Sequence, residues 1–202
     1  MKEPSHNEGK SRKIILLCSN YAWTVYIFRL SLVRALRSQG YAVHLLTQYD
    51  EYVDRIEHEF DALYPLRIDR SGINPLRDLF TALNIFRILV RVRPAAFLTY
   101  TIKPTIYGGG VARILGVQTI ANITGLGAVF LKGGWLNWFV RRLYRHCLAR
   151  SRRVFFQNED DCKLFVEGGL VRSEVAGRVP GSGINLTKFS VRQSSSRESN
   201  HK

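Results

Sequence analysis

The chain has 202 residues, of which 46% are hydrophobic, and this is enough apolar sequence to build the core of a globular domain. Its 30 Lys and Arg outnumber its 16 Asp and Glu, and the net charge of +14 favours an acidic partner such as a membrane surface, a nucleic acid or a phosphorylated ligand. The three cysteines, Cys18, Cys147 and Cys162, are widely spaced and form no Cys-x-x-Cys pair. This spacing argues against a disulfide scaffold and against a zinc site.

The first structured unit is expected after a polar lead, residues 1–12, that is predicted to be disordered. Residues 13–19 are a continuous apolar run, which predicts a strand and is too short to cross a bilayer. A helix is predicted over residues 24–39, with its arginines Arg29, Arg34 and Arg37 facing outward. The loop between strand and helix, residues 20–23, contains Tyr21 and Trp23, whose rings could equally be aromatics of a lid or of the core.

The remainder of the chain alternates between strand and helix patterns. Further strands are predicted over residues 41–47, 63–68, 96–100, 117–123, 154–157 and 176–179, and helices over residues 50–60, 74–91, 105–115, 135–149 and 160–167. This alternation predicts one α/β domain, residues 13–189, with a doubly wound, Rossmann-like parallel sheet and right-handed crossovers. Residues 190–202 are serine-rich and charged, which predicts a disordered tail.

A candidate ligand site follows the predicted strands at residues 96–100 and 117–123. Ligands of open parallel sheets bind at the carboxyl ends of strands, so Lys103 and the turn formed by Thr124, Gly125 and Gly127 are expected side by side. The Lys103 ammonium could hold a phosphate or diphosphate, although a solvated lysine is an equal alternative. The Thr124 hydroxyl can donate a hydrogen bond but cannot act as a general acid or base near neutral pH.

Other chemistries have weaker support in the sequence. Residues 13–39 contain no glycine, so the first loop lacks the fingerprint of a dinucleotide-binding site. Asn158 is followed by three acidic residues, a pattern more typical of a helix cap than of a catalytic carboxylate pair. The five histidines are scattered and have no serine or cysteine elbow near them, so a hydrolytic triad is unsupported, and neither a metal nor a bound cofactor is implied.

Positive charge is concentrated in the second half of the chain. Residues 79–158 contain twelve Lys or Arg and no Asp or Glu. The helix predicted over residues 135–149 combines aromatic with basic side chains, a combination typical of an interfacial membrane helix: Trp135, Trp138, Arg141, Arg142 and Arg145. The alternative is a core-facing helix with a solvated basic face. No nucleic-acid module is recognisable, so nucleic acid is not expected as a partner.

Four segments in chain order carry a resemblance to a known family. They are NYAWTVYIFRLSLVRALRSQGY at residues 20–41, YTIKPTIYGGGVARILGVQTIANITGLGAVF at 100–130, FFQNEDD at 155–161 and VPGSGINLTKF at 179–189. Together they resemble the amino-terminal, acceptor-side half of family 4 glycosyltransferases of the GT-B fold, the branch that builds capsule, O-antigen of lipopolysaccharide and other lipid-linked glycans. Many members have a histidine where this chain has Thr124.

The resemblance implies transfer of a sugar from a nucleotide-sugar donor to a polyprenyl-diphosphate-linked acceptor, with retention and without a metal, at the inner face of the bacterial cytoplasmic membrane. It places acceptor contacts at Tyr21, Trp23, Lys103, Thr124, Gly125, Gly127, Asn158, Gly181, Ser182 and Gly183. The family's second, donor-binding domain has no counterpart in these 202 residues. The chain alone is therefore expected to be inactive, as a truncated enzyme or one completed by another polypeptide. The alternative is a non-catalytic module that binds the membrane or the acceptor.

Overall fold

A computed structural model describes residues 12–68, 74–125, 130 and 134–183 of the chain. Its seven strands are β1 Ile14–Tyr21, β2 Ala42–Gln48, β3 Ala62–Pro65, β4 Ala96–Tyr100, β5 Thr119–Ile123, β6 Arg153–Phe156 and β7 Ala176–Arg178. All pair in parallel within one sheet of order β3-β2-β1-β4-β5-β6-β7. The doubly wound parallel sheet predicted from the sequence is confirmed.

Helices cover both faces of this sheet. They are α1 Ala22–Phe28, α2 Leu30–Ser38, α3 Val53–Ile56, α4 Pro75–Val92, α5 Gly109–Leu115, α6 Trp135–Leu148 and α7 Glu159–Glu167. A 3₁₀ turn, Glu57–Glu59, follows α3, a π-helical turn, Pro104–Gly108, leads into α5, and a 3₁₀ turn, Ser173–Val175, precedes β7. Helices α1 to α3 pack on one face and α4 to α7 on the other.

The core follows from strands that are apolar on both faces. In β1, Leu17 packs under α1 and α2, whereas its neighbours Leu16 and Cys18 pack under α4 and α5, and all three are fully buried. Successive side chains of a strand point to opposite faces, so a continuous apolar run is what an interior parallel strand requires. Burial strongly raises the pKa of the Cys18 thiol, because a thiolate would lose its hydration there.

Two predicted helices differ from those in the structure. The helix expected over residues 24–39 is interrupted at Arg29, whose backbone (φ −124°, ψ −11°) leaves helical geometry between α1 and α2. The helix expected over residues 50–60 is shorter in the structure. It consists of α3 and the 3₁₀ turn that ends at Glu59, where the extended backbone of Phe60 stops it. Arg12, assigned to the disordered lead, pairs with Asp61 at 2.9 Å. The rest of that lead and the tail lie outside the described residues.

The boundaries of α4 match the signals read from the sequence. Asn74 caps the helix by accepting a hydrogen bond from the Arg77 N–H at 3.2 Å, and Pro75 occupies the first turn, where a backbone N–H is not needed. The helix ends at Val92, two residues before Pro94, and Arg93 adopts a left-handed conformation.

Glycines allow the helical segment after β4 to approach its neighbours. A Cβ on Gly108 would lie 2.8 Å from Cε1 of the buried Phe97 ring, and one on Gly109 would lie 3.3 Å from Cβ of Cys147 on α6. A Cβ on Gly110 would make only an ordinary contact, 3.5 Å from the Cys147 sulfur. Gly108 is therefore where the contact between this segment and the sheet leaves no space for a side chain.

We predict that Gly108→Ala lowers the free energy of unfolding by about 1–3 kcal/mol, the usual cost of overpacking a core. Gly110→Ala is the matched control, since alanine favours the helix and meets no clash. Urea denaturation measures both variants. Equal stability of Gly108→Ala and the parent chain would contradict the close packing on Phe97.

Candidate functional site

A cleft opens at the carboxyl edge of the sheet, where the strand order reverses between β1 and β4. It encloses about 450 Å³ and is lined by residues in or after the carboxyl ends of five strands (β1, β4, β5, β6 and β7) and by α1 and its carboxyl end: Ser19, Thr24, Phe28, Arg29, Tyr100, Thr101, Thr124, Gln157, Ser182 and Gly183. In open parallel sheets the ligand site lies at such a switch point. Most of the polar groups among the described lining residues are hydroxyls, and the only charged group among them is a guanidinium.

Arg29 supplies that charge. Its guanidinium carbon lies 4.2 Å from the centre of the Tyr100 ring, and its Nη2 donates a hydrogen bond to Ser182 Oγ at 3.1 Å. Burial lowers the pKa of Arg29, although arginine stays protonated near neutral pH. Among the described residues no carboxylate pairs with it. A half-buried cation without an anion leaves part of its desolvation cost uncompensated, and a bound anion would supply the missing charge.

The outward orientation expected for Arg29 is therefore wrong. The side chain is on the inner face of its helix pair, four residues from both Val25 and Val33, which are fully buried. Helical spacing in the sequence already contained this signal, because residues four apart share a helix face. Arg34, by contrast, is 59% exposed and pairs with Glu59, as expected of an outward-facing arginine.

Ser182 connects the cleft to the segment that follows β7. Its Oγ also accepts a hydrogen bond from Gln157 Nε2 at 2.6 Å, so one hydroxyl joins three parts of the chain. Gly181 and Gly183 flank it with φ values of +71° and +64°, which glycine adopts without strain. These glycines let the segment turn so that Ser182 faces the cleft.

A strained residue lies in the wall contributed by β4. Thr101 has φ +69°, a left-handed conformation that is rare for a β-branched residue, and its hydroxyl donates to the Tyr100 carbonyl. Across the cleft, Ser19 and Thr24 share a hydrogen bond of 2.8 Å between their hydroxyls. Strained conformations cluster at ligand sites, so Thr101 adds to the evidence that this edge is functional.

A larger hollow of about 750 Å³ adjoins the cleft. It lies on the α2 side of β4, β5 and β6, with Leu32, Leu36 and Phe155 among its apolar lining residues. Arg29 and Tyr100 line both spaces. The stacked arginine and tyrosine therefore form the boundary between the ligand cleft and this sheet face.

The structure brings only some of the residues proposed from the sequence into the cleft. Thr124, Ser182 and Gly183 line it, and Gly125 is adjacent to Thr124, whereas Gly127 lies outside the described residues. Tyr21 is the last residue of β1. Trp23 is 38% exposed, and its backbone N–H donates to Asp50 Oδ2 at 3.0 Å. Neither is among the lining residues, which in this region are Ser19, Thr24 and Phe28.

Two further candidates have structural partners. Asn158 caps α7 by accepting a hydrogen bond from the Asp161 N–H at 2.7 Å, and its neighbour Gln157 is the residue that reaches the cleft. Gly181 lines the larger hollow rather than the cleft. The three acidic residues after Asn158 lie in the first turn of α7, where they complement the helix dipole.

Lys103 is not the free cation that the sequence suggested. Its Nζ donates to Asp78 Oδ1 at 3.0 Å, and the two side chains are only 19% and 7% exposed. Burial, together with a hydrogen bond to the same carboxylate, raises the pKa of Tyr107. Lys103 thus connects the π-helical turn to α4. It is not among the residues that line the cleft.

The basic residues of α6 divide into two groups. Arg145 donates to the carbonyls of Gly168 and Gly169 at 3.2 and 2.9 Å, and Arg141 packs close to Gly168. Cations at these carbonyls complement the carboxyl end of α7. Arg142 instead lies 5.4 Å from the ring centre of the exposed Trp138, and Trp135 is also exposed. The proposed membrane surface of α6 therefore has fewer unengaged cations than the sequence indicated.

The described residues contain neither a cluster of metal ligands nor a helix that could span a membrane. No three His, Cys, Asp or Glu side chains converge on one point there. None of the helices in this part of the chain is long and apolar enough to cross a bilayer.

Comparison with known proteins gives one family match and several similar folds. The profile of glycosyl transferase 4-like proteins matches residues 14–158. The N,N'-diacetylbacillosaminyl-diphospho-undecaprenol alpha-1,3-N-acetylgalactosaminyltransferase of Campylobacter jejuni is 20% identical over 171 residues. A glycosyltransferase from Rickettsia africae superposes with a TM-score of 0.61 at 14% identity, and S. aureus MnaA, solved with UDP, with a TM-score of 0.64 at 16% identity.

The chain spans about half the length of each of these three proteins. It aligns over 82%, 90% and 92% of its own length, but over only 45%, 46% and 50% of the Campylobacter, Rickettsia and S. aureus proteins. At these identities the superpositions establish the fold alone.

We predict that Lys103→Met lowers the free energy of unfolding by about 3–5 kcal/mol, because it leaves the buried Asp78 carboxylate without its cation. Asp78→Leu combined with Lys103→Met should recover most of that loss. Lys163→Met, which removes the exposed pair with Glu159, is the control and should have no measurable effect. Chemical denaturation measures the free energy of unfolding of each variant. An unchanged value for Lys103→Met would contradict a stabilising role of the Lys103–Asp78 pair.

Proposed function

Because the chain belongs to the glycosyl transferase 4-like family, we propose that it forms the acceptor-side half of a sugar transferase. Its fold is one Rossmann-like half of the GT-B architecture. The proposed reaction moves a sugar, with retention and without a metal, from a nucleotide-sugar donor to a polyprenyl-diphosphate-linked glycan of capsule, O-antigen or another surface polysaccharide. A second α/β domain, in the same or another polypeptide, would supply the donor site.

The observation that carries this proposal is the environment of Arg29 in the cleft. A guanidinium offers a planar fork of donors that suits phosphate oxygens, and here it is held in place by the Tyr100 ring and Ser182. Hydroxyls of Ser19, Thr24 and Thr124 surround the same space. Among the described lining residues one fixed cation lies among neutral donors, an arrangement suited to a phosphorylated ligand rather than to a neutral sugar alone.

The names of relatives agree with this class of ligand. The Campylobacter relative is named for a diphospho-undecaprenol substrate, and the S. aureus neighbour was solved with UDP. Both compounds contain a diphosphate. We propose that Arg29 contacts the diphosphate of the lipid-linked acceptor and that the enzyme works as a peripheral protein at the inner face of the bacterial cytoplasmic membrane.

We predict that Arg29→Gln weakens binding of farnesyl diphosphate, a short polyprenyl diphosphate, by roughly ten- to a hundredfold. This range is the affinity equivalent of one charge-assisted hydrogen bond, about 1.5–3 kcal/mol. Isothermal titration calorimetry on the purified chain measures it. Parallel titrations with UDP and with pyrophosphate distinguish the lipid-linked acceptor from the nucleotide as the source of the diphosphate.

Arg55→Gln is the matched control for this titration. Arg55 also lies over a tyrosine ring, 4.9 Å from the centre of Tyr52, but it does not line the cleft. Its replacement lowers the net charge by the same amount as Arg29→Gln. Equal losses in both variants would mean that only general charge was measured. Tighter binding of UDP than of farnesyl diphosphate would move the proposal from the acceptor to the donor.

A further inference from the structure

Helix α4 has two apolar faces, and only one of them packs on the domain. Its inner face, which includes Ile85, Leu89 and Val92, is buried against the sheet. On the outer face six large apolar side chains are between 40% and 71% exposed: Leu76, Leu79, Phe80, Leu83, Phe86 and Val90. At 3.6 residues per turn they fall within an arc of about 120° opposite the buried stripe. Single exposed apolar residues are ordinary, but a continuous stripe along an 18-residue helix indicates a contact surface.

The charge beside this stripe identifies its partner. Arg87 lies within this stripe and Arg91 borders it, and both side chains are exposed. The helix contains one acidic residue, Asp78, and that carboxylate is buried against Lys103. Among its own residues, α4 thus presents apolar side chains and these two arginines on its outer surface, and no exposed carboxylate. Apolar residues that enter the acyl region beside cations that meet anionic headgroups are the arrangement of an interfacial helix.

We propose that the outer face of α4, rather than α6, is the main surface by which this domain docks on an anionic bilayer. Leu76, Phe80 and Leu83 would enter the interface, with Arg87 and Arg91 at the headgroups. In the proposed transferase this surface would bring the cleft to a lipid-linked substrate. Binding of the surface to a bilayer itself needs no sugar acceptor.

A second copy of the chain fits this surface less well. In a contact between two α4 surfaces, Arg87 and Arg91 of both chains would be buried, and neither helix offers an exposed carboxylate to pair with them. Burying a cation without an anion disfavours such a contact. An anionic leaflet has the opposite charge and accepts the same apolar side chains.

The position of α4 gives this docking a functional consequence. In a parallel sheet with crossover helices, each helix begins at the edge where the preceding strand ends. The amino ends of α4 and α6 therefore lie at the carboxyl edge of the sheet, where the cleft opens. The most exposed apolar residues of α4, Leu76 and Phe80, are in its first turns. Docking through them would hold the mouth of the cleft near the headgroups.

The test is cosedimentation with vesicles of phosphatidylglycerol and phosphatidylcholine that contain no lipid-linked sugar. Leu76→Gln/Phe80→Gln/Leu83→Gln removes apolar groups from exposed positions, and the matched variant Trp135→Gln/Trp138→Gln does the same on α6. We expect the α4 variant to bind roughly tenfold or more weakly than the parent chain, and the α6 variant to change little. Binding of the parent should fall at high salt and on pure phosphatidylcholine.

Three results would overturn the proposal. One is loss of vesicle binding in the α6 variant with normal binding in the α4 variant. Another is a parent chain that binds neither vesicle type. The third is a parent that sediments as a dimer in solution, with the α4 variant monomeric, which would make α4 a protein interface. Thermal denaturation confirms that each variant is folded. Because these vesicles contain no diphosphate ligand, this test and the titration on Arg29 can fail separately.

Discussion

The reversal of strand order between β1 and β4 is the constraint on which the site depends. The chain leaves β1 towards β2 on one side of the sheet and later returns to β4 on the other, so the connections after these two strands diverge. That divergence opens the cleft between the start of α1 and the loop after β4. The buried apolar side chains of β1 and β4 hold the two strands in register, with Leu17 opposite Leu98.

Two cations near this edge have opposite roles because their surroundings differ. Lys103 is neutralised by a buried carboxylate, so it can stabilise the contact between α4 and the π-helical turn at little cost in unpaired charge. Arg29, within the part of the chain that the structure describes, contacts an aromatic ring and a hydroxyl but no carboxylate. Charge alone did not distinguish the two residues. The presence or absence of a carboxylate partner does, and it makes Arg29 the candidate for binding an anionic ligand.

Fold and site were predictable from the sequence to different degrees. Strands such as β4 are apolar on both faces and bounded by proline or glycine, so periodicity located them, and Asn74-Pro75 located the start of α4. The Lys103–Asp78 pair is not predictable from local sequence, because the two residues are 25 positions apart and contacts of that range leave no local pattern. The inward position of Arg29 follows from its spacing to Val25 and Val33, but the usual exposure of arginine points the other way. The sequence analysis assigns no faces to α4, and its exposed apolar stripe is defined by the structure.

A crystal structure of the domain with farnesyl diphosphate tests the central claim most directly, namely that the cleft at the strand reversal binds a diphosphate through Arg29. We expect phosphorus density within hydrogen-bonding distance of the Arg29 guanidinium, with Ser182 and Thr124 beside it and the Lys103–Asp78 pair intact. Density at Lys103 with Asp78 displaced, or on a surface away from the cleft with Arg29 still bound only to Ser182, would contradict it.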